Sequence, residues 1–349
     1  MIGGQHQIRL LAFLLYDVKN MAKLIDQYNR KINYLRISVT DRCNLRCVYC
    51  MPVEGVHLRE SSEILTYEEL LKIAYVATLK GISKIRITGG EPLIRKDIVR
   101  FVGMLSRLTG LTDLSMTTNG VLLSEFAQPL YDAGLKRVNI SLDSLKEERY
   151  REITRGGDLK RVWEGIEAAG KAGMSPVKIN VVVIKDFNDD ELVDFARLSL
   201  ERPYQIRFIE YMPVGASNGW EREKYVSSEE MLRIIETILS LTPVKKAEEC
   251  GPAKLYRFRE GKGEIGFITP LSQHFCQTCN RLRLTADGKL RTCLFSDEEI
   301  DLKSVLRGGG GEQELKDLFD LAIHHKPEKH NITDPVFKKC NRHMVTIGG

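Results

Sequence analysis

The chain has 349 residues, of which 43% are hydrophobic and 28% are charged, and its formal net charge is +5. This length suits one large α/β domain with an appendage, or two domains. The mild positive charge does not by itself indicate a nucleic-acid partner, and no apolar run reaches the about 18 residues that a membrane span needs. We therefore expect a cytoplasmic protein that binds neither nucleic acid nor membrane.

The first 20 residues fit the rest of the sequence poorly. Their longest apolar run, residues 10–16, is followed by Asp17 and Lys19 without a small-residue cleavage site, which argues against a signal peptide. Met21 is a plausible natural start of the chain. We expect residues 1–20 to be an extension outside the folded core.

From residue 34 onward, strand-like and helix-like segments alternate. Short segments rich in β-branched residues predict six strands, at residues 34–39, 84–88, 113–117, 137–142, 178–184 and 205–210. Thr66 and Glu69 form a capping box that predicts a helix to about residue 80, and Ser227 with Glu230 predicts another to about residue 240. Further helices are predicted at residues 97–108, 125–133, 159–171 and 189–200.

Six strands that are each followed by a helix predict a parallel sheet with right-handed crossovers. Six units are fewer than the eight of a closed barrel, and a doubly wound open sheet fits the same alternation. A partial barrel is favoured because polar or cysteine motifs follow the C-terminal end of nearly every strand, the face where such barrels carry their active sites. We predict a partial (β/α)6 TIM-type barrel over residues 21–242.

Residues 243–349 break this alternation and predict a smaller, irregular C-terminal region that caps the open barrel. Short strand-like segments occur at residues 255–259, 263–269 and 281–285, and Asp287-Gly288 is a turn signal. Gly308–Gly311 is interpreted as a flexible linker before a helix over residues 314–324.

Three of the eight cysteines stand in a C-x3-C-x2-C array directly after the first predicted strand: Cys43, Cys47 and Cys50. A structural zinc site or a ferredoxin-type cluster has four protein ligands, and this array supplies only three thiols. A zinc site would need a fourth ligand, and only His57 lies even loosely in range. An iron–sulfur cluster held by three thiolates would leave one iron open to a molecule other than protein, in a reducing compartment.

A second set of thiols, Cys276, Cys279 and Cys293, again has three members. His274 or Cys340 would complete a zinc site, so a structural zinc remains an alternative on spacing alone. A second cluster with an open iron explains the same deficit.

The first array, with Tyr49 before its last cysteine, resembles that of radical S-adenosylmethionine enzymes. The resemblance implies a 4Fe–4S cluster whose open iron binds the methionyl group, and reductive cleavage that yields a 5′-deoxyadenosyl radical. Gly89-Gly90-Glu91-Pro92, in isolation equally a β-turn, resembles the family motif that contacts the methionyl amino group. Positions that match the family imply an S-adenosylmethionine site at Tyr49, Gly90, Ser141 and Met212. For Ser141 and Met212, a role as ordinary packing residues is the alternative interpretation.

Over residues 21–349 the chain resembles the GTP 3′,8-cyclases of molybdenum cofactor biosynthesis. Two three-cysteine sites, Arg281-Leu282-Arg283 after Cys279, and a Gly348-Gly349 terminus carry this resemblance. It implies a lyase in which the radical removes the ribose 3′ hydrogen of GTP and C3′ then bonds to guanine C8, giving 3′,8-cyclo-7,8-dihydro-GTP. It also implies that a second 4Fe–4S cluster binds the guanine ring.

A triphosphate requires fixed positive charge, and the resemblance carries GTP binding to six residues: Arg36, Arg86, Thr117, Lys178, Arg281 and Arg283. Arg36 and Arg86 lie on predicted strands, where a buried arginine is costly unless paired. Lys178 could equally be solvated, and Arg207 is a weaker candidate. The resemblance implies that the Gly-Gly tail reaches the active site, although terminal glycines often fray. Cys250 and Cys340 have no assigned ligand role.

The expected partners also follow from the resemblance. They are GTP, an electron donor such as flavodoxin or ferredoxin, and a downstream cyclic pyranopterin monophosphate synthase that receives the product, with the enzyme a monomer or homodimer. Two alternatives remain: a radical peptide maturase with an auxiliary cluster, and a zinc-binding interaction module in which both cysteine sets are structural.

Overall fold

The computed structural model of the chain describes residues 23–215, 219–244, 251–332 and 339–348. The predicted extension at residues 1–20, Cys250 and Gly349 lie outside these ranges. The strands are β1 Tyr34–Ser38, β2 Lys84–Thr88, β3 Asp113–Thr118, β4 Arg137–Ser141, β5 Val177–Val183, β6 Tyr204–Glu210, β7 Leu241–Pro243, β8 Lys254–Phe258, β9 Glu264–Ile268, β10 Arg281–Leu284, β11 Lys289–Arg291 and β12 Ile300–Asp301. The helices are α1 Tyr67–Leu79, α2 Ile98–Leu105, α3 Leu123–Asp132, α4 Glu147–Thr154, α5 Leu159–Lys171, α6 Leu192–Glu201, α7 Ser228–Ile235, α8 Leu302–Arg307, α9 Glu312–His324 and α10 Met344–Ile347. None of the helices in the described ranges has both the length and the hydropathy to cross a bilayer.

The six predicted β/α units are confirmed, and each strand boundary differs from the prediction by at most one residue. The capping box at Thr66 forms as predicted, because its hydroxyl accepts from Glu69 N and the Glu69 carboxylate accepts from Thr66 N. The helix after Ser227 ends at Ile235, well before residue 240. Helix α4, which follows β4, was not predicted.

All twelve strands belong to one sheet in the order β12-β11-β10-β1-β2-β3-β4-β5-β6-β9-β8-β7. The predicted open barrel is confirmed, and it is longer than six strands. The C-terminal part of the chain adds β10 in parallel beside β1 and β9 in parallel beside β6. The predicted C-terminal cap therefore shares one sheet with the barrel, and the boundary at residues 242–243 stays a prediction.

The parallel strands carry apolar and polar residues on opposite faces. The apolar face packs against the surrounding helices in one core cluster, to which Ile37, Ile87, Met116 and Ile140 belong. Strands buried on both sides by an apolar core read as continuous hydrophobic runs, whereas these alternate. The inner face of the arc, which we call the lumen, is therefore polar.

An open seam separates the two edges of the parallel arc, since no described residues pair β9 with β10. The connection over residues 269–280, which we call the seam connection, leaves the C-terminal end of β9 and enters the N-terminal end of β10, the two strands that border this seam. Glu210, fully buried at the end of β6, anchors its start by accepting from Leu271 N at 2.8 Å and Ser272 N at 3.1 Å. The seam connection thus has a fixed origin beside β6.

Gly308–Gly311, interpreted from the sequence as a flexible linker, is a turn between α8 and α9. Gly310 N donates to Val305 O at 2.8 Å, and Gly309 has a φ of 86°, in the left-handed region that glycine tolerates. The run of glycines closes a helix–helix corner.

Candidate active site

The first cysteine set lies on the loop that leaves the C-terminal end of β1. The loop is held against α4, because Arg46 N donates to Thr154 O at 3.1 Å and Val48 N donates to Ile153 O at 2.9 Å. Cys43, Cys47 and Cys50 are half-buried there.

Burial raises the pKa of each thiol in this set: Cys43 to about 11, Cys50 to about 12, and Cys47 well above its usual range. Neighbouring thiolates act in the same direction, since Cys50 raises the pKa of Cys47 and Cys43 raises the pKa of Cys50. Backbone N–H groups nevertheless point at the sulfurs, from Leu45 to Cys43 at 3.4 Å and from Val345 to Cys50. Burial makes these thiols costly to ionise in the free protein, yet backbone donors point at their sulfurs. Both features suit thiolates whose negative charge is offset by a bound metal cluster.

Gly90 lies where the β2 loop crosses the cysteine loop. Gly90 N donates to Thr40 O at 2.7 Å and Glu91 N donates to Arg42 O at 2.8 Å. A Cβ added at Gly90 would overlap the Arg42 carbonyl. The sequence predicts a close backbone approach here, and in the structure that approach is to the cysteine loop itself.

Glu91, the acidic residue of the same motif, is 1% exposed. Its carboxylate accepts from Thr118 Oγ1 at 2.7 Å, Asn119 N at 2.7 Å and Leu93 N at 3.0 Å. Burial raises its pKa to about 7. The side chain that the resemblance directs toward a methionyl amino group is therefore already bonded to the loop after β3.

Tyr49 is held by a residue that sequence reasoning missed. Its hydroxyl donates to Asp143 Oδ2 at 2.7 Å, and Asp143 Oδ1 accepts from Val182 N at 2.8 Å. Asp143 is 2% exposed, and burial raises its pKa to about 6. Its position two residues after Ser141, at the end of a predicted strand, was the available signal. Ser141 ends β4, and Met212 lies two residues beyond β6, so both stand at the same end of the barrel as Tyr49.

The lumen brings the predicted GTP-binding residues together. In register, Arg36 on β1 lies between Arg86 on β2 and Arg283 on β10. Likewise, Asn139 on β4 lies between Thr117 on β3 and Lys178 on β5. Arg207 also belongs to this group, since its charge lowers the pKa of Lys178. We call Arg36, Arg86, Lys178, Arg207 and Arg283 the cation band.

Within the described ranges, none of these five side chains forms an ion pair with a carboxylate. Burial is the largest cause that lowers every pKa in the cation band: Lys178 to about 6, Arg207 to about 9, Arg283 to about 10, and Arg36 and Arg86 below their usual range. Their mutual repulsion acts in the same direction. Buried, unpaired cations of one sign constitute a site for a polyanion.

Several buried polar atoms on the lumen face have no partner. They are Tyr34 Oη, Arg36 Nε, Thr117 Oγ1 and Asn180 Oδ1. Buried polar groups in proteins are almost always hydrogen-bonded, so four orphans on one face indicate groups that a ligand satisfies. Tyr34 and Asn180 were not predicted from the sequence.

Arg281 stands at the start of β10, beside aromatic rings. Its guanidinium lies 5.3 Å from the Phe275 ring and 5.9 Å from the Tyr34 ring, and Arg86 lies 5.5 Å from the same tyrosine. Tyr34 therefore connects the arginine of the seam with the cation band.

The second cysteine set lies where the seam connection meets β10. Cys276 and Cys279 flank a short 3-10 turn, and Cys293 follows β11, which runs antiparallel to β10 and so returns to the same end. Burial raises the pKa of Cys276. It acts in the same direction on Cys279, but Lys326 and Arg281 outweigh it and the net pKa of Cys279 is lowered.

The alternative zinc ligands were also located. His274 is exposed and its ring packs on His330, while Cys340 is buried among Val214, Phe295 and Ile347. Zinc–sulfur bonds of about 2.3 Å require donors that converge on a point. No three donor side chains in the described part of the chain do so.

The C-terminal tail enters the lumen at the C-terminal end of the parallel strands. Ile347 is fully buried, and Gly348 O accepts from Arg283 Nη1 at 3.0 Å. Gly348 has a φ of 78°, and a Cβ there would meet Thr88 and Ser38 at the ends of β2 and β1. The structure thus places Gly348 against the cation band, near the end of the barrel that carries the first cysteine set.

Comparisons with known proteins cover most of the chain. Residues 37–199 match the Radical SAM superfamily and residues 204–332 match Molybdenum Cofactor Synthesis C. A GTP 3′,8-cyclase of Thermodesulfovibrio yellowstonii is 54% identical over 93% of this chain and 99% of its own length. One of Moorella thermoacetica is 53% identical over the same shares.

Among solved structures, Streptococcus suis SuiB bound to S-adenosylmethionine is similar with a TM-score of 0.58 at 15% identity, covering 90% of this chain and 72% of that chain. The anSMEcpe structure with bound AdoMet has a TM-score of 0.52 at 17% identity, over 87% of this chain and 80% of that one. These two likenesses concern the fold alone.

The contact at Gly90 gives a direct test of the first cysteine set. Gly90→Ala should displace the cysteine loop, because the new Cβ overlaps the Arg42 carbonyl. We expect the iron bound per anaerobically purified chain to fall by roughly four atoms, the content of one 4Fe–4S cluster. Gly103→Ala is the control, since its Cβ would have only one neighbour within 4 Å, the Ala133 Cβ at 3.9 Å. Equal iron in both variants would contradict this account.

Proposed function

The chain belongs to the GTP 3′,8-cyclase family, and on that premise we propose that GTP binds in the lumen with its triphosphate on the cation band. The observation that carries the proposal is a group of buried cations of one sign, facing orphaned polar atoms, within a barrel that has a cysteine set at each end. A nucleoside triphosphate provides the charge that this band lacks and polar groups that match the orphans.

We assign one 4Fe–4S cluster to Cys43, Cys47 and Cys50, and a second to Cys276, Cys279 and Cys293. When bound, the first cluster and S-adenosylmethionine would supply, at the cost of one electron, a 5′-deoxyadenosyl radical that removes the ribose 3′ hydrogen. Bonding of C3′ to guanine C8 leaves an unpaired electron, so one further electron and one proton are needed to reach 3′,8-cyclo-7,8-dihydro-GTP in this lyase reaction. The protein's part is to position GTP between the two sites and to exclude water.

Individual residues divide this work. Arg36, Arg86 and Arg283 offer planar guanidinium groups to phosphate oxygens, and Thr117 offers a hydroxyl that has no other partner. Arg281 lies beside the second cysteine set, where it reaches the base end of the substrate. Tyr49 is fixed by Asp143 beside the first cysteine set, in keeping with the proposed S-adenosylmethionine site at Tyr49, Gly90, Ser141 and Met212.

The proposed partners and location follow from the same assignment. A one-electron donor such as flavodoxin or ferredoxin reduces the first cluster, and a cyclic pyranopterin monophosphate synthase receives the product. Reduced thiols in both sets suit the cytoplasm.

Product analysis tests the activity. Anaerobic incubation with GTP, S-adenosylmethionine and dithionite should give 3′,8-cyclo-7,8-dihydro-GTP, identified by mass. A hydrogen bond to a charged group is worth about 1.5–3 kcal/mol. Arg283→Ala should therefore raise the KM for GTP about 10- to 100-fold, and Arg281→Ala with Arg283→Ala should raise it further.

Arg100→Ala is the control for lost surface charge, since that side chain is 69% exposed. Its KM should stay within about twofold of the parent enzyme. Normal turnover of GTP by the double variant would overturn the assignment of Arg281 and Arg283 to the GTP site. Failure of the parent enzyme to convert GTP would instead favour a radical enzyme that acts on a peptide.

The two cysteine sets should fail differently. Cys43→Ser should abolish S-adenosylmethionine cleavage, because that cluster loses a ligand. Cys293→Ser should retain cleavage without GTP conversion, because the radical is made but the substrate is not oriented. Both products, 5′-deoxyadenosine and the cyclised nucleotide, are quantified by chromatography. Parallel loss of the two activities in Cys293→Ser would argue against separate roles.

The lowered pKa of Lys178 predicts that the protein takes up a proton when it binds GTP. Its pKa of about 6, lowered by burial and by Arg207, leaves it mostly neutral at pH 7.5. Bound phosphate raises that pKa again, so binding should take up as much as one proton per GTP, and the uptake should vanish below about pH 6, where Lys178 is already charged.

Anaerobic calorimetry at pH 7.5, in buffers with different ionisation enthalpies, measures this uptake. Lys178→Met should bind GTP more weakly and take up correspondingly less. The same proton uptake in Lys178→Met and in the parent enzyme would exclude Lys178 as its source.

A further inference from the structure

Lys326 is a buried lysine that the proposed reaction leaves unexplained. It follows helix α9 and is 2% exposed, one of the largest fully buried side chains of the described chain. Its ammonium donates to Thr292 O at 2.6 Å, to Arg281 O at 3.0 Å and to Cys279 Sγ at 3.6 Å. An ammonium has three protons, and each has an acceptor here.

These acceptors belong to the segments that carry the second cysteine set. Thr292 directly precedes Cys293, and Arg281 lies two residues after Cys279. One side chain therefore joins the end of the seam connection, the start of β10 and the residue before the third cysteine. Moving Lys326 would release all three segments from one another.

The segment after Lys326 contacts a second sulfur of this set. The His330 backbone N–H donates to the Cys276 thiol. Arg30 fixes this segment from the other side, since its guanidinium donates to Pro327 O at 2.7 Å, Glu328 O at 2.8 Å and Cys276 O at 2.8 Å. Residues 326–330 thus form a strap across Cys276 and Cys279.

The two cations of the strap differ in how their charge is balanced. Arg30 has its own carboxylate, with Nε donating to Asp26 Oδ2 at 2.6 Å. Among the described side chains, Lys326 has no carboxylate within ion-pair distance. Two of its acceptors are neutral carbonyls, so Cys279 Sγ is the acceptor that can carry a negative charge. An unpaired buried ammonium is strongly destabilising, so its counter-charge must come from the second cysteine set.

We propose that Lys326 is a positioning residue that holds the second cluster in place and stabilises its reduced form through the hydrogen bond to Cys279. This inference rests on the proposed second cluster at Cys276, Cys279 and Cys293. A one-electron reduction adds negative charge to a cluster and its thiolates, and a cation that donates to a ligating sulfur favours that state. Lys326 therefore raises the reduction potential of the cluster that the guanine base contacts.

The test isolates the second cluster in the full-length chain by replacing Cys43, Cys47 and Cys50 with Ser. Into this background we would place Lys326→Met, Lys326→Gln and Lys326→Arg, with Arg30→Gln as a matched control that loosens the strap but leaves the donor to Cys279. Readouts are iron and sulfide per chain, and the potential from an anaerobic titration followed by electron paramagnetic resonance.

We expect Lys326→Met to shift the potential to a more negative value, Lys326→Gln to shift it less, and Lys326→Arg to restore it. Arg30→Gln should shift the potential less than Lys326→Met, because Arg30 acts on the Cys276 and Cys279 sulfurs through its charge alone and donates to neither. If Lys326→Met loses the cluster while Lys326→Arg and Arg30→Gln retain it, the holding role is supported. Unchanged potentials in both neutral variants would overturn the proposal, as would equal loss of iron from Lys326→Met and Lys326→Arg.

The same background separates this inference from the assignment beneath it. If the chain with Lys326 intact binds no iron once the first cysteine set is replaced, the proposed second cluster is wrong. If that chain binds about four irons and its reduction potential does not change when Lys326 is replaced, the second cluster is supported and the proposed role of Lys326 is wrong.

Discussion

Buried positive charge inside the barrel is the constraint on which the rest of the molecule depends. Burial lowers the pKa of every member of the cation band, so in the free protein the guanidinium charges of the band oppose folding, and Lys178 is mostly neutral near pH 7.5. The apolar outer face of the strands, packed against the helices, must offset that cost. A polyanion in the lumen would offset part of it, so the proposed binding of GTP should also stabilise the fold.

The alternation that builds the lumen is visible in the sequence. The resemblance predicts Arg36 and Arg86 as substrate-binding residues, and their position on strands, where a buried arginine is costly unless paired, favours that role over ordinary surface charge. The six β/α units were predicted for a related reason, since short β-branched segments and capping boxes are local signals. The full polar face cannot be recognised in any one strand, because Thr117, Asn139 and Lys178 line up only in the register of three neighbouring strands.

The remaining features depend on contacts between distant parts of the chain, which no local pattern encodes. Strand β10 pairs with β1 across more than two hundred residues of sequence, and Lys326 reaches Cys279 across 47 residues. The bonds of Glu91 to Thr118 and Asn119 are of the same kind. The sequence indicates that Glu91 belongs to a motif, but whether its carboxylate meets a ligand or a neighbouring loop is decided by tertiary packing.

The C-terminal tail shows how such contacts connect the first cysteine set with the cation band. The Val345 N–H points at Cys50 of the first cysteine set, and three residues later the Gly348 carbonyl accepts from Arg283 of the cation band. A short segment therefore contacts both the proposed site of radical formation and the proposed phosphate site. Because Gly348 fits between Ser38 and Thr88 only without a side chain, the glycine is explained by this packing, and on the proposed assignment a change at Arg283 reaches Cys50 through four residues of chain.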